Sequence, residues 1–368
     1  MRAPNEIDFW RGFALATIFV NHIPGLYFER FTFRNVSLSD SAELFVFLAG
    51  WAMRKLTSGK AAMLPAKWLI IRLGARAFQV YFAQLVVTAL AVAMLAGCAI
   101  LLDAPFLLDW HNASAVFYDP VRANIGLVLL SHQLGYFNIL PLYVVLLFTA
   151  PAIALLQRGA RNLLPILALA IYAGALALGL NFPTWPVEGT WFFDPLAWQL
   201  IYVLGFLAAG EDNLGGFARR HHKVLRWLAF PVLLLGIAVG WTSFSPDPLY
   251  VPEPKLFFMF DKTFLSPARL IHSLALIAFF AGAYDAVARW LPWASGYLCL
   301  LGRNSLNVFC TLSLLSLAGQ IGRYVFGGSI AFDALIVTFG ISVMGLIAWL
   351  AEWRERLRVD QQGKPHLR

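Results

Sequence analysis

The chain has 368 residues, 60% of them apolar, 15% aromatic and only 13% charged, with three cysteines. Soluble domains carry about 25% charged residues, so the composition excludes an ordinary soluble enzyme and predicts an all-α, polytopic membrane protein. The net charge of +8 does not point to nucleic acid, because no basic run interleaved with aromatics stands on a soluble segment.

The first apolar stretch, Ile7 to Tyr27, reads as a retained spanning helix rather than a cleaved signal, since it lacks a small-residue cleavage site. It carries Asp8, Arg11 and His22. At about 100° per residue, Arg11 and His22 differ by about 20° of rotation and Asp8 and His22 by about 40°. The three therefore share a face with Leu15, Ile18 and Phe19 between them, and Arg11 and His22 lie roughly 16 Å apart along the axis. Ionisable groups in a spanning helix are costly, so a functional site is the default reading. The alternative is a helix-end Asp–Arg pair with one hydrogen-bonded histidine.

A span needs about 20 mostly apolar residues. Ten candidates follow in order: 7–27, 40–56, 74–102, 137–157, 163–181, 196–211, 224–244, 268–289, 299–320 and 329–351. Residues 121–134 form a weaker, interfacial candidate. The second span opens SAELFVFLAGWAM, with Glu43 at its start; an acid there either belongs to a site or complements the helix dipole. At the start of the third, Arg72 and Arg76 are four apart and share a face. Two guanidiniums can grip a phosphate or carboxylate, or simply anchor the cytosolic boundary.

Charge placement orients the chain. With the N-terminus inside, 21 of the 28 basic residues fall on inner connections or ends and 7 on outer ones. The bias places both termini in the cytoplasm. The outer connections are long and rich in Pro, Trp and acids: 103–136, 182–195 and 245–267. Flat aromatic faces beside carboxylates suit a sugar, whereas an interfacial aromatic belt is the plainer alternative. Candidate substrate contacts are Trp191, Asp194, Trp198 and Gln199 around one outer entrance, and Asp261, Lys262, Arg269 and His272 around another. His272 lies three residues after Arg269, on the same face. At an inner entrance LGRNSLNVFC holds Arg303, Asn304, Ser305 and Asn307, with Ser305 a candidate cap. Cys98, Cys299 and Cys310 sit in apolar segments without metal spacing, and no metal site is predicted. Residues 1–351 read as one transmembrane domain and 352–368 as a short, charged, frayed cytoplasmic tail.

In order along the chain, DFWRGFALATIFVNHIP, SAELFVFLAGW, NILPLYVVLL, DPLAWQLIYVLG, DKTFLSPARLIH and LGRNSLNVFC resemble the OpgC group of the acyltransferase-3 membrane acyltransferases. That group succinylates osmoregulated periplasmic glucans. The likeness runs from residue 8 to residue 310. It implies a ten-span bundle in the bacterial inner membrane, a cytosolic acyl-CoA donor such as succinyl-CoA, and a periplasmic glucan acceptor. It also implies that His22, Asp8 or Arg11, and Glu43 form the catalytic set. Arg72 and Arg76 match a basic donor-side motif, spaced here as Arg-x-x-x-Arg rather than in the family's tighter form.

A thioester is already activated, and the acceptor hydroxyl needs a base that titrates near neutrality, which imidazole does. His22 would take that proton directly, or would itself carry the acyl group in a two-step transfer. Arg11, Lys262 and Arg269 are the candidate partners of a succinyl carboxylate. A transporter or flippase for a glycan or organic anion is the reading from another class. It is weakened because no pair of Gly/Pro-interrupted segments recurs in matching halves.

Overall fold

The computed structural model describes residues 4–59, 63–211 and 213–362. Arg2, Lys60, Lys364 and Arg368, which enter the charge count, lie outside them. Among the described residues the chain is helical, with one isolated bridge between Pro183 and Thr190 and no named strand. In chain order the helices are α1 (Glu6–Asn21), α2 (Ser41–Thr57), α3 (Ala66–Leu101), α4 (Ser114–Tyr118) and α5 (Pro120–Val128). Then come α6 (Ile139–Gly159), α7 (Leu163–Leu178), α8 (Pro195–Ala208), α9 (Asn213–Arg220) and α10 (His222–Thr242). The last are α11 (Pro267–Phe280), α12 (Ala283–Trp290), α13 (Pro292–Arg303), α14 (Ser305–Phe326) and α15 (Ile330–Gln362). Five of them, α3, α6, α10, α14 and α15, are long and apolar enough to cross a membrane, and α7 and α8 are shorter apolar helices. The protein is a helical membrane protein, as its composition predicts.

Several boundaries move from the expected ones for local reasons. The first helix stops at Asn21, six residues early, because Pro24 disfavours helix at Ile23 and Gly25 turns the chain at φ +78°. His22 is therefore the C-cap and not a mid-helix residue. α3 starts at Ala66 and runs 36 residues, about 54 Å at about 1.5 Å per residue. That exceeds a hydrocarbon core of about 30 Å, so its first turns, with Arg72 and Arg76, can project beyond the bilayer. The predicted 268–289 span breaks at Gly282, φ +78°, and the predicted 299–320 span breaks at Asn304. α15 continues to Gln362, past the expected start of a frayed tail at 352. Glu352, at the start of that stretch, is buried and accepts Arg303 Nε at 2.7 Å.

The chain divides into two compact units. One joins Met1–Thr32 to Ala281–Arg368. Here α1 lies directly on α13. A Cβ on Gly12 would meet the Leu298 carbonyl oxygen at 1.9 Å, and one on Gly302 would meet that of Asp8 at 1.8 Å. Two small residues, one on each helix, let the backbones touch, a recurrent device where lipid removes the hydrophobic drive between helices. Leu15 and Phe19 follow on α1, both fully buried, with Phe19 against Gly340 of α15. The face predicted to carry Asp8 is thus a packed face.

The second unit is Phe33–Phe280. It repeats the device between α2 and α8. Gly50 would drive a Cβ to 1.9 Å from the Tyr202 carbonyl oxygen, and Gly205 to 2.0 Å from that of Phe47. α8 has only 14 residues, yet buries Trp198, Tyr202 and Phe206 completely.

Candidate active site

In the second unit the start of α2 builds a charged cluster. Asp40 is the N-cap and Glu43 is the third helical residue. The Asp40 carboxylate accepts the Ala42 N–H at 2.9 Å, and Glu43 Oε2 accepts the Asp40 N–H at 3.0 Å. This reciprocal capping fixes both side chains. Glu43 Oε1 faces the other way and receives Arg269 Nε at 2.9 Å and Nη2 at 2.6 Å. Asp40 Oδ2 takes Lys262 Nζ at 2.5 Å and lies 3.7 Å from Arg269 Nη2. One turn along α11 from Arg269, His272 Nδ1 shares a 2.8 Å hydrogen bond with Ser39 Oγ. Its ring rests on Gly236 of α10, where a Cβ would meet Nε2 at 2.1 Å.

Glu43, fully buried, and Arg269, 9% exposed, are committed to each other. Two carboxylates face two cations, so the cluster compensates its own charge and tolerates burial. Lys262 is its accessible member: 29% of its side chain is exposed, and its ammonium lies 5.7 Å and 5.6 Å from the rings of Phe192 and Phe193. Chemically the arrangement can orient groups and offer one ammonium to an anion or hydroxyl.

The segment carrying Lys262 is clamped. Trp198 Nε1 donates to the carbonyls of Lys262 and Thr263 at 3.1 and 3.0 Å, the Asp194 N–H donates to Thr263 O at 3.1 Å, and Tyr172 Oη donates to Leu265 O at 2.8 Å. Asp261 Oδ1 accepts the Phe264 N–H at 2.8 Å. Asp194 caps α8 through both oxygens, to Leu196 and Ala197 N–H. Burial pushes its carboxyl up to about 6, against the pull of those two donors. Gln199 Nε2 donates to Ala168 O at 2.7 Å, tying α8 to α7.

These positions correct part of the expected sugar platform. Trp198 is fully enclosed and Trp191 is 5% exposed, so neither presents a flat face outward. Their rings fill the packing around α8, and Asp194, Trp198 and Gln199 spend their polar atoms on backbone. Lys262, Arg269, His272 and Glu43 do come together. Ser39 and Asp40 belong with them and were missed. The D-x-x-E spacing of Asp40 and Glu43 is the readable signal of a reciprocal cap. Arg76 Nη1 donates to Gln79 Oε1 at 2.6 Å, and Arg72 is exposed. Neither is hydrogen-bonded to a member of the cluster.

In the first unit, Asp8 is buried and bonded to its cap, with Asn5 Nδ2 donating to Oδ2 at 2.6 Å. Arg11 Nε is buried without a hydrogen-bond partner among the described residues. The end of α1 is held by α14. Ser316 Oγ donates to Phe19 O at 3.3 Å and Gln320 Nε2 to His22 O at 2.5 Å, satisfying carbonyls that a helix end leaves open. Arg323 Nη2 donates to Gly25 O at 2.7 Å and pairs with Asp333, whose other oxygen accepts the Tyr27 N–H at 2.7 Å. His22 thus sits, half-buried, on a backbone fixed on both sides. Gln320, Arg323 and Asp333 were not legible as its supports.

Compared with known proteins, residues 3–356 match the family model described as OpgC protein. Among curated proteins none gives a significant match.

Proposed function

The chain belongs to the OpgC family, a membership that points to a glucan-modifying acyltransferase, and from this premise we propose that it moves a succinyl group from cytosolic succinyl-CoA to hydroxyls of a periplasmic glucan. The single observation that carries the reading is the family match over 354 of the 368 residues, from 3 to 356. The protein would lie in the bacterial inner membrane with both termini in the cytoplasm, as the excess of inner Lys and Arg favours.

In this reading His22 is the general base. It takes the proton of a glucose hydroxyl as that oxygen attacks the thioester carbonyl. The C–S bond breaks, CoA leaves as thiolate and is protonated, and the ester forms. Imidazole suits the step because it titrates near neutrality. The firm hold on the His22 backbone supports the assignment, since a base must keep its place to within a fraction of an ångström. Arg11 would hold an anionic part of the donor, and Asp8 would orient the start of the same helix. Arg72 and Arg76 would receive the phosphates of CoA on the cytosolic side. Glu43 would act as a positioning residue, holding Arg269 and the Asp40 cap. Lys262 is the cation of its cluster best exposed to meet a succinyl carboxylate or an acceptor hydroxyl.

The test is transfer of label from succinyl-CoA, with acetyl-CoA in parallel, to a periplasmic glucan in membranes holding the protein. Labelled glucan from succinyl-CoA supports the reading. Preference for acetyl-CoA would correct the acyl group, and consumption of neither donor would overturn it for that acceptor.

A further inference from the structure

With Trp191 and Trp198 enclosed, the aromatic faces of the second unit's outer loops stand elsewhere. Residues 105–112 follow α3 as a 3-10 segment, and residues 129–138 lead into α6. The two are zipped together. The Gly135 N–H donates to His111 O at 2.8 Å, and Asn112 Nδ2 donates to Gln133 O at 3.3 Å. Three half-buried rings line up along the join. Trp110 and His111 meet edge to face at 5.9 Å, and His111 and Tyr136 at 5.3 Å. Trp110 also packs on a small cluster of Ala99, Ala104 and Leu107, which holds its ring in place.

The backbone here is bent to make this row. Of seven non-glycine residues with positive φ among the described residues, five lie between 103 and 136: Asp103, His111, Asn112, Leu130 and Tyr136. Each costs free energy, and such residues gather where a surface must be shaped for a ligand. His132 adds a second observation. It is 2% exposed and its ring lies in hydrogen-bonding reach of the Asn112 backbone. With the Asn112 backbone taking one ring nitrogen, the other is a buried polar atom left over beside the row.

Charge selects among ligands. The exposed or half-exposed acids Asp103, Asp109 and Asp119 outnumber the one base, Arg122, which pairs with Asp119 at 3.8 Å. The surface repels an anion. We propose that Trp110, His111 and Tyr136 form a docking row for a neutral glucan chain, built from residues other than those of the charged cluster of Lys262 and Arg269. C–H faces of successive glucose rings would pack on the aromatic rings, and hydroxyls would engage Asn112 and Asp109. The inference rests on the glucan reading above and assigns a second binding surface to the acceptor.

The test is equilibrium binding of a neutral linear β-glucan oligosaccharide to the full chain in lipid nanodiscs, read by calorimetry without any acyl donor. Trp110→Ala and Tyr136→Ala should each weaken binding about tenfold, equivalent to about 1.4 kcal/mol. Trp110→Phe should retain most of it. Trp241→Ala, an exposed tryptophan at the end of α10, should change nothing. A carboxylated version of the oligosaccharide should bind less well. Thermal melts of each variant separate lost folding from lost binding. Equal affinity in wild type and Trp110→Ala, or no binding by folded wild type, overturns the docking row. Transfer to a short glucoside acceptor reads the enzyme separately: row variants that still acylate it leave the function standing when the row fails. A wild type that binds glucan but transfers nothing leaves the row standing when the function fails.

Discussion

Arg269 donates through two nitrogens to a single oxygen of Glu43, at 2.9 and 2.6 Å, across 226 positions of sequence. The same carboxylate accepts the Asp40 N–H through its other oxygen. One side chain therefore closes the start of α2 and neutralises a buried guanidinium on α11. Removing one partner of a buried pair costs about 3–5 kcal/mol, so Glu43→Ala and Arg269→Met should each be strongly destabilising. Glu43→Leu with Arg269→Met should cost clearly less than the sum of the single changes. Denaturant melts in detergent check this, and simple additivity would contradict the pairing.

The glycine contacts predict a contrast among four similar substitutions. Gly50→Ala and Gly205→Ala push a methyl into a facing carbonyl at about 2 Å and should destabilise by about 1–3 kcal/mol or more, the range for overpacking. Gly74→Ala and Gly97→Ala on α3 meet nothing within 4 Å and should be neutral or stabilising by up to about 1 kcal/mol. Thermal melts of the four variants decide the matter.

Gln320→Leu removes the donor to the His22 carbonyl. An unsatisfied buried acceptor costs about 1–3 kcal/mol, and the end of α1 should loosen around the histidine. Hydrogen exchange across residues 20–27 should quicken, and transfer should fall by more than stability alone accounts for. Unchanged exchange there would show that α14 does not hold His22.

Burial holds the His132 imidazole below its ordinary 6.5, because the charged form is desolvated. The sign follows for a base whose folded value is depressed. Its contribution is fully present above about 6.5, where the unfolded ring is neutral too, and is lost as pH falls from there toward the folded value. Protection against hydrogen exchange in residues 126–136, corrected for the intrinsic rate at each pH, should therefore fall as pH drops below about 6.5. His132→Gln should remove that dependence. An equally steep response in the variant would place the titrating group elsewhere.

The helical membrane class was legible because long apolar runs and sparse charge leave no other packing. Boundaries failed where one residue decides: Pro24 with Gly25, Gly282, and Asn304 each break a helix inside an apolar run. Glu43 was legible as a costly charge and Arg269 as a candidate substrate contact, but their partnership was not, since nothing local links residues 226 apart. Trp191 and Trp198 were misread for a related reason. A tryptophan in an outer loop or at the start of a span has the same sequence signature whether it faces water or packs inward. The glycines of α1, α2, α8 and α13 look ordinary in sequence, and only facing backbones reveal why they are small.

The measurement closest to the central claim is acyl transfer by wild type and His22→Ala side by side. Membranes holding equal amounts of folded protein would receive labelled succinyl-CoA and a periplasmic glucan. Wild type should label the glucan, and the variant should lose transfer by about a hundredfold or more, the scale of a general base. Full transfer by His22→Ala would remove the histidine from the chemistry.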